Sequence, residues 1–256
     1  RQTLDLGLNS LFVDQTCEFS YALPKNRDEL DPFEVMDRAY AWFGEAAQMA
    51  RERDPEAYSI GEVPDLWNTQ SIDVWWTWGW GFPDVPEVFM YLMPETCFLW
   101  CTDEYQRPLL SKAFAMGAFL AVATRGMTGL LSQAPDFAAQ IARLAKLRKQ
   151  TAAFVSHGRF VDKRGLSVAG AEGFVFLSND GVAVTFANGK PDPVDVTARL
   201  RPQELSDRPL GKGQIHFEDG RVAPASPSGG QSEWEMPIRL AGYAAAIWTI
   251  PFAGKA

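Results

Sequence analysis

The chain has 256 residues, of which 46% are hydrophobic and 22% are charged. This composition is that of a globular protein with one large domain or two smaller ones, and it excludes a disordered chain. The formal net charge is −8, from 24 basic and 32 acidic residues, and no apolar run reaches the roughly 18 residues of a membrane span. We therefore expect neither nucleic acid nor a membrane as a partner.

The first predicted elements are a strand and a long helix. Residues 8–14 form a short, largely apolar run that ends in Asp14 and is typical of a buried strand. A helix is predicted to begin at Asp31 and Pro32, which suit the N-cap and the first helical position, and to run to about residue 53. Its apolar face is marked by residues at three- and four-residue spacing: Phe33, Met36, Tyr40, Phe43, Ala47 and Ala50.

The second predicted strand, residues 58–62, ends at another acid, Glu62. Strand, helix and strand in this order predict a parallel crossover unit. Because functional residues of parallel sheets gather at the carboxyl ends of the strands, Asp14 and Glu62 are expected on one edge of adjacent strands. Side chains placed in this way can approach to roughly 5 Å, the separation expected of the two carboxyl groups in a retaining glycosidase. The alternative is that either acid only caps a helix or lies in a loop.

A cluster of tryptophans follows. Six of the nine tryptophans lie between Trp67 and Trp100, and indole rings stack well on the C–H faces of sugar rings. In a third strand over residues 72–80, Trp75 would point to one face and Trp76 to the other. The hypothesis is a sugar site whose substrate contacts are Trp67, Asp73, Trp76, Trp78, Trp80 and Glu95. Packing of the tryptophans in the core, and a structural role for Asp73 at the start of its strand, remain open alternatives.

The next segments alternate between strand and helix. Residues 89–94 are predicted to form the fourth strand, with Glu95 after it, whereas residues 97–100 fit either a strand or a loop. Two helices are predicted, one over residues 108–123 and one that begins at Pro135.

From about residue 165 the pattern changes to short β-rich runs. Asn179, Asp180 and Gly181 between two apolar runs indicate a hairpin. Residues 194–198 and 243–250 are predicted strands, and residues 224–232 a loop. We predict two domains, residues 1–157 and an antiparallel β domain of residues 158–256.

Five segments of the chain carry a family resemblance: residues 11–14, 59–62, 73–80 and 89–95, and the passage from Leu147 to Asp162 into the β domain. Together they resemble a (β/α)8-barrel glycoside hydrolase of the α-galactosidase-like kind. The resemblance extends to the related endo-α-N-acetylgalactosaminidase group, in which the nucleophile is an Asp on the fourth strand and the acid/base a Glu on the next. By position these are Asp14 and Glu62. The resemblance implies a partial (β/α)8 (TIM) barrel that lacks its first strands, followed by a C-terminal β-sandwich.

A complete barrel takes about 250 residues, whereas 157 precede the predicted β domain. We therefore expect a C-terminal part of a longer protein, with the missing N-terminal half of the barrel as a partner. The alternative is a complete chain with a smaller open sheet. The chain begins with Arg1 rather than Met and shows no signal peptide, so its compartment stays unassigned.

The predicted function is retaining hydrolysis of a carbohydrate substrate. Asp14 would attack the anomeric carbon, and Glu62 would protonate the leaving oxygen and later act as base toward water. Alternatives are a carbohydrate-binding protein without catalysis and an inactive fragment. Three cysteines and two histidines, none of them at metal-ligand spacing, argue against a metal site. No nucleotide-binding glycine motif is present, so no cofactor is expected.

Overall fold

The computed structural model describes residues 10–13, 32–62, 71–78, 86–94, 96–102, 107–122, 130–230 and 232–254. Four residues predicted to belong to the sugar site, Asp14, Trp67, Trp80 and Glu95, lie outside these ranges. Trp78 lies in a described strand, but only its backbone is described.

The amino-terminal elements form an α/β arrangement. Their order is β1 (Ser10–Val13), α1 (Pro32–Arg53), β2 (Tyr58–Glu62), β3 (Val74–Trp78), α2 (Pro86–Leu92), β4 (Cys97–Thr102), α3 (Arg107–Ala115), β5 (Phe119–Val122) and α4 (Pro135–Gln150). The strands are hydrogen-bonded in the order β1-β2-β3-β4-β5. Pairing is parallel between β1 and β2 and between β2 and β3, so the predicted strand–helix–strand crossover is confirmed.

Two predicted elements differ from the structure. Residues 89–94 were predicted as a strand, but most of them belong to helix α2, which begins with Pro86 at a position where proline favours a helix start. Met90 and Met93 are buried while Val88, Tyr91 and Leu92 are exposed, which is helical periodicity and not strand alternation. The undecided residues 97–100 belong to strand β4.

The predicted helix over residues 108–123 ends at Ala115, and residues 119–122 form strand β5 instead. The cause is Gly117, whose φ of 94° lies in the left-handed region. Its amide donates to the Phe114 carbonyl at 3.0 Å, and the Ala118 amide donates to the Ala113 carbonyl at 3.0 Å. These two bonds form the glycine-terminated cap that stops an α-helix.

The chain divides into two compact units, residues 1–89 with 95–100, and residues 90–94 with 101–256. In the first unit, α1 contacts β1 and β2. It buries Phe43, Ala46, Ala47 and Ala50, the three- and four-residue spacing of an amphipathic helix. Ile72 and Trp75 are also buried in this unit.

From residue 159 onward, the described part of the second unit contains ten short strands. They are β6 (Arg159–Phe160), β7 (Leu166–Ala169), β8 (Glu172–Leu177), β9 (Gly181–Ala187), β10 (Val194–Leu200), β11 (Gln214–Phe217), β12 (Val222–Pro224), β13 (Ser228–Gly229), β14 (Trp234–Leu240) and β15 (Ala245–Pro251). They form two sheets, β13-β14-β10-β7 and β12-β11-β15-β9-β8-β6, whose described pairs are antiparallel. The predicted hairpin is β8–β9, with Phe174 opposite Thr185. The predicted loop 224–232 contains β13, which pairs with β14.

The inward-facing side chains of both sheets form one apolar core. Val184, Phe186 and Trp248 contribute from the six-stranded sheet, and Val196 and Ile238 from the four-stranded sheet. Helices α3 and α4 belong to this same compact unit. The predicted boundary between residues 157 and 158 stays a prediction.

Candidate functional site

The predicted acid Glu62 is the last residue of β2 and is half-buried. Gly61, immediately before it, is in register with Val13 of β1, and Glu62 itself is in register with Trp76 of β3. Because all three strands are parallel, their carboxyl ends meet at one edge of the sheet, the edge where α/β proteins place ligand-binding residues.

The two faces of these strands differ in burial. Ser59, Gly61 and Trp75 are buried, whereas the residues that alternate with them are half-buried: Ile60, Glu62, Val74 and Trp76. Residues in register on neighbouring strands project from the same face, and the strands lie about 4.8 Å apart. Glu62 and Trp76, in register on adjacent strands, therefore project from the same half-buried face. An acid beside an aromatic ring combines a group that transfers protons with a surface on which a sugar ring stacks.

The opposite face is closely packed. Trp75 is 0% exposed, and its ring lies against the backbone of Gly61. A Cβ atom on Gly61 would lie 2.8 Å from Cζ3 of Trp75 and 3.3 Å from Cγ2 of Ile72. Because residue 61 is a glycine, the Trp75 ring can lie directly against the backbone of β2, one residue before Glu62.

Asp73 lies at the other end of the strands, one residue before β3. Its carboxylate accepts two hydrogen bonds of 2.7 Å from Nη2 of Arg51. It also accepts hydrogen bonds from the Ser59 amide at 2.8 Å and the Ser59 hydroxyl at 3.0 Å. Partial burial acts to raise the pKa of Asp73, but the hydrogen bonds from Ser59 and Arg51 outweigh it and hold the pKa below its ordinary value.

The structure thus brings Glu62 and Trp76 together and places Asp73 at the amino-terminal end of the same strands. The contacts of Asp73 support the structural role that the sequence analysis left open for it. Sequence reasoning did not find its partners, because Arg51 is 22 residues away on α1 and nothing in the local pattern links the two. Gly61 carried a usable signal, since a glycine inside a strand indicates a close approach of another group.

Other features of the described part of the chain do not add to this site. Among the described residues, no group of three or more His, Cys, Asp or Glu side chains could hold a metal ion. No described helix is both long and apolar enough to cross a membrane. A groove of about 360 Å³ in the second unit is lined mainly by apolar side chains of α3, β5 and α4, and none of its lining residues is a predicted site residue.

No protein-family model matches the chain, and no curated protein matches its sequence. Its structure is similar to that of an α-amylase from H. orenii, with a TM-score of 0.58 and 12% identity, covering 97% of this chain and 62% of that chain. A second similar structure is the α-amylase of Geobacillus thermoleovorans complexed with acarbose, with a TM-score of 0.53, 10% identity and coverage of 84% and 57%.

A third similar structure is an Anoxybacillus α-amylase, described as giving insights into a new glycosyl hydrolase subclass, with a TM-score of 0.50, 11% identity and coverage of 85% and 57%. At these identities the likeness concerns the fold alone. The chain has an α/β fold followed by a β domain, similar to that of glycoside hydrolases with C-terminal β domains. It spans 62% of the length of the H. orenii enzyme and 57% of the other two.

Proposed function

We propose that the chain carries part of the active site of a retaining glycoside hydrolase, with Glu62 as the acid/base. The observation that carries this proposal is the position of Glu62 beside Trp76 at the carboxyl end of parallel strands, on the half-buried face. In this role Glu62 protonates the leaving oxygen and then removes a proton from the attacking water. Trp76 provides the ring on which the sugar stacks.

Asp14 is the proposed nucleophile. It lies outside the described residues, but it directly follows Val13, which is in register with Gly61. We therefore expect its carboxyl group at the same sheet edge as Glu62, one strand away. A separation near 5 Å would suit retention, and about 6.5–9.5 Å would suit inversion. We keep Trp67, Trp78, Trp80 and Glu95 as proposed sugar contacts on the sequence pattern, whereas the hydrogen bonds of Asp73 with Arg51 and Ser59 favour a structural role.

The proposed substrate is a carbohydrate. The similar structures are α-amylases, one of them complexed with acarbose, so an α-linked glucose oligosaccharide is the first substrate to test. The α-galactosidase-like and endo-α-N-acetylgalactosaminidase-like relationship stays a prediction, so α-galactosides and α-N-acetylgalactosaminides belong in the same panel.

A second candidate function is carbohydrate binding without turnover. It is favoured by one observation, that the chain spans only 57–62% of the length of the similar amylases. If the remaining part of a barrel completes the sugar site, the N-terminal half of that barrel is the partner that the chain needs for catalysis. A Trp-lined site on this chain would still bind a sugar.

The test is Glu62→Gln in the full 256-residue chain, with Glu56→Gln as the matched control, because Glu56 is exposed and lies in the turn before the same strand. Removing a general acid costs about 10²–10⁴-fold in rate. The loss in kcat/KM, which reports formation of the glycosyl-enzyme, should be large for a glycoside with a poor leaving group and small for one with a nitrophenolate leaving group, which needs no protonation. Sugar affinity should change little, as measured by calorimetric titration.

The outcomes separate the candidates. Equal turnover by Glu62→Gln and the unchanged chain on the poor leaving group would remove Glu62 from the acid role. Sugar binding without any turnover by the unchanged chain would favour the second candidate.

A further inference from the structure

Asp73 connects four elements at the amino-terminal end of the strands. Its carboxylate binds Arg51 of α1 and Ser59 of β2, and it lies one residue before β3. Its own amide donates to the Ser59 carbonyl at 3.1 Å, and its carbonyl accepts from the Cys97 amide at the start of β4, also at 3.1 Å. The Ser71 carbonyl oxygen lies 2.6 Å from the Ser59 hydroxyl oxygen and shares its single proton with the Asp73 carboxylate. We call Arg51, Ser59 and Asp73 the clamp.

The apolar pattern of β2 and β3 does not fix their register by itself, so further contacts are needed. The described pairing comprises three residue pairs, Ile60 with Val74, Gly61 with Trp75 and Glu62 with Trp76. A slip by one residue exchanges the two faces of a strand, and register is normally fixed by the hydrophobic pattern. At the centre of β3 this pattern is ambiguous, because Trp75 and Trp76 are identical and adjacent. At these two positions a slip would exchange one indole for the other.

Two contacts resolve this ambiguity. At the carboxyl end, Gly61 admits the Trp75 ring, as described above. At the amino-terminal end, the clamp ties the residue before β3 to the second residue of β2. Both the amide and the hydroxyl of Ser59 reach the same Oδ2 atom of Asp73, so a one-residue slip would break both bonds. Arg51 then fixes the orientation of that carboxylate through contacts to both of its oxygens.

We propose that the clamp sets the register of β2 and β3 that places the Glu62 carboxyl group beside Trp76, and that Asp73 is a positioning residue for the acid. The kinetic consequence rests on the proposed hydrolase function, but the register itself does not. In the folded chain Asp73 acts from a distance, since three residue steps along β2 lead from Ser59 to Glu62 and each step advances about 3.3 Å.

The register is measured without any activity. Ile60→Cys and Val74→Cys form an in-register pair on the half-buried face, and neighbouring strands bring such a pair within the Cα separation of a disulfide. Oxidation of this double variant, with the bond identified by mass spectrometry of digested peptides, should give efficient cross-linking. Adding Asp73→Asn, which cannot form the ion pair with Arg51, should lower the yield at least threefold. Ser59→Ala removes only the hydroxyl bonds and should give a smaller loss.

Kinetics then test the positioning role in chains without the added cysteines. Asp73→Asn should lower kcat by about 10–100-fold, because small misplacements of a catalytic group cost rates of this size, while KM changes less than threefold. Phe43→Leu is the control, because Phe43 is 2% exposed in the same unit and its shortening loosens packing without touching the clamp. It should lower the midpoint of urea unfolding but leave kcat unchanged below the transition.

Each outcome decides the matter. An unchanged disulfide yield in Asp73→Asn overturns the register proposal, whatever the activity. A lower yield with an unchanged kcat overturns the positioning role. If the unchanged chain binds sugar but never turns it over, the proposed hydrolase function fails, and the disulfide yield still judges the register. If Asp73→Asn does not fold, Ser59→Ala carries both measurements.

Discussion

Gly61 has no room for a side chain, because a Cβ atom there would lie closer to the buried ring of Trp75 than van der Waals contact allows. The nearest ring atoms, Cζ3 and Cε3, would lie 2.8 and 3.2 Å from that Cβ, and the Trp75 side chain is fully buried. Gly61→Ala should therefore destabilise the protein by about 1–3 kcal/mol through overpacking. The measurement is the midpoint of urea unfolding, followed by tryptophan fluorescence.

Gly230→Ala is the control for this substitution. A Cβ atom at position 230 meets nothing within 4 Å, so the free energy of unfolding should change by no more than about 0.5 kcal/mol. Equal losses in the two variants would mean that the Trp75 ring is not held against Gly61.

The sequence already contained part of this arrangement. Strand alternation predicted that Trp75 and Trp76 point to opposite faces, and their burial agrees, with Trp75 inside and Trp76 half-buried. Alternation could not tell which of the two would be the buried one, since both are indoles on the same strand. The ion pair between Asp73 and Arg51 was equally out of reach, because it depends on how α1 lies over β2 and not on any local spacing.

At the scale of elements, the most instructive difference concerns the end of α3. The apolar residues of 108–123 recur at helical spacing, and this spacing predicted one continuous helix. The left-handed Gly117 divides it into a helix and the strand β5. Glycine followed by apolar residues was the available signal, and it was outweighed by the periodicity on both sides. The short helix α2 was predicted as a strand because residues 89–93 form one continuous apolar run, which shows no helical spacing and has the length of a strand.

Arg148 of α4 secures this helix end. Its guanidinium donates from Nη1 to the Gly117 carbonyl at 2.8 Å and from Nη2 to the Phe114 carbonyl at 2.7 Å. It also lies 4.6 Å from the centroid of the Phe114 ring. A cation at the carboxyl end of a helix is favoured by the helix dipole. Arg148→Met should leave the Gly117 carbonyl without this donor and remove one of the two donors to the Phe114 carbonyl, and it should lower the free energy of unfolding by roughly 2–4 kcal/mol.

The control for Arg148→Met is Arg164→Met, in which the same chemical change is made at an exposed arginine. Its effect should stay within about 0.5 kcal/mol. Both variants are compared by urea unfolding at neutral pH. A loss at Arg148 no larger than that at Arg164 would mean that the carbonyls of the α3 end find water instead.

At the scale of the whole molecule, the alternation of strands and helices predicted the α/β class, and the turn signals after residue 165 predicted the antiparallel β strands. The order of strands within the two β sheets was not predictable. Pairs such as β10 with β14 join segments about 40 residues apart, and their selection depends on which apolar faces fit together in one core. The same holds for the candidate site. The position of Glu62 at the carboxyl end of β2 was predictable from the local sequence pattern, whereas its pairing with Trp76 depends on the register of β2 against β3.

Two acids in the turn after β11, Glu218 and Asp219, should change the free energy of unfolding with opposite signs as the pH rises. Burial raises the pKa of Glu218 above its ordinary value, and the hydrogen bond from the Ala245 amide and the charge of Arg143 offset this only in part. Partial burial also acts to raise the pKa of Asp219, but hydrogen bonds from the amide and guanidinium of Arg221 outweigh it, and the pKa is lowered.

The sign of each contribution follows from which state binds the proton more tightly. The folded state binds the proton of Glu218 more tightly than the unfolded state does. The contribution of Glu218 to the free energy of unfolding is therefore full below the unfolded pKa of about 4.3, and it is lost as the pH rises through the folded pKa. Glu218→Gln should therefore gain stability relative to the unchanged chain between about pH 4 and neutrality. The unfolded state binds the proton of Asp219 more tightly than the folded state does. Asp219→Asn should therefore lose stability relative to the unchanged chain as the pH rises from about 3 to 5. Urea midpoints measured from acid to neutral pH give both differences, and two differences that change with the same sign would contradict these assignments.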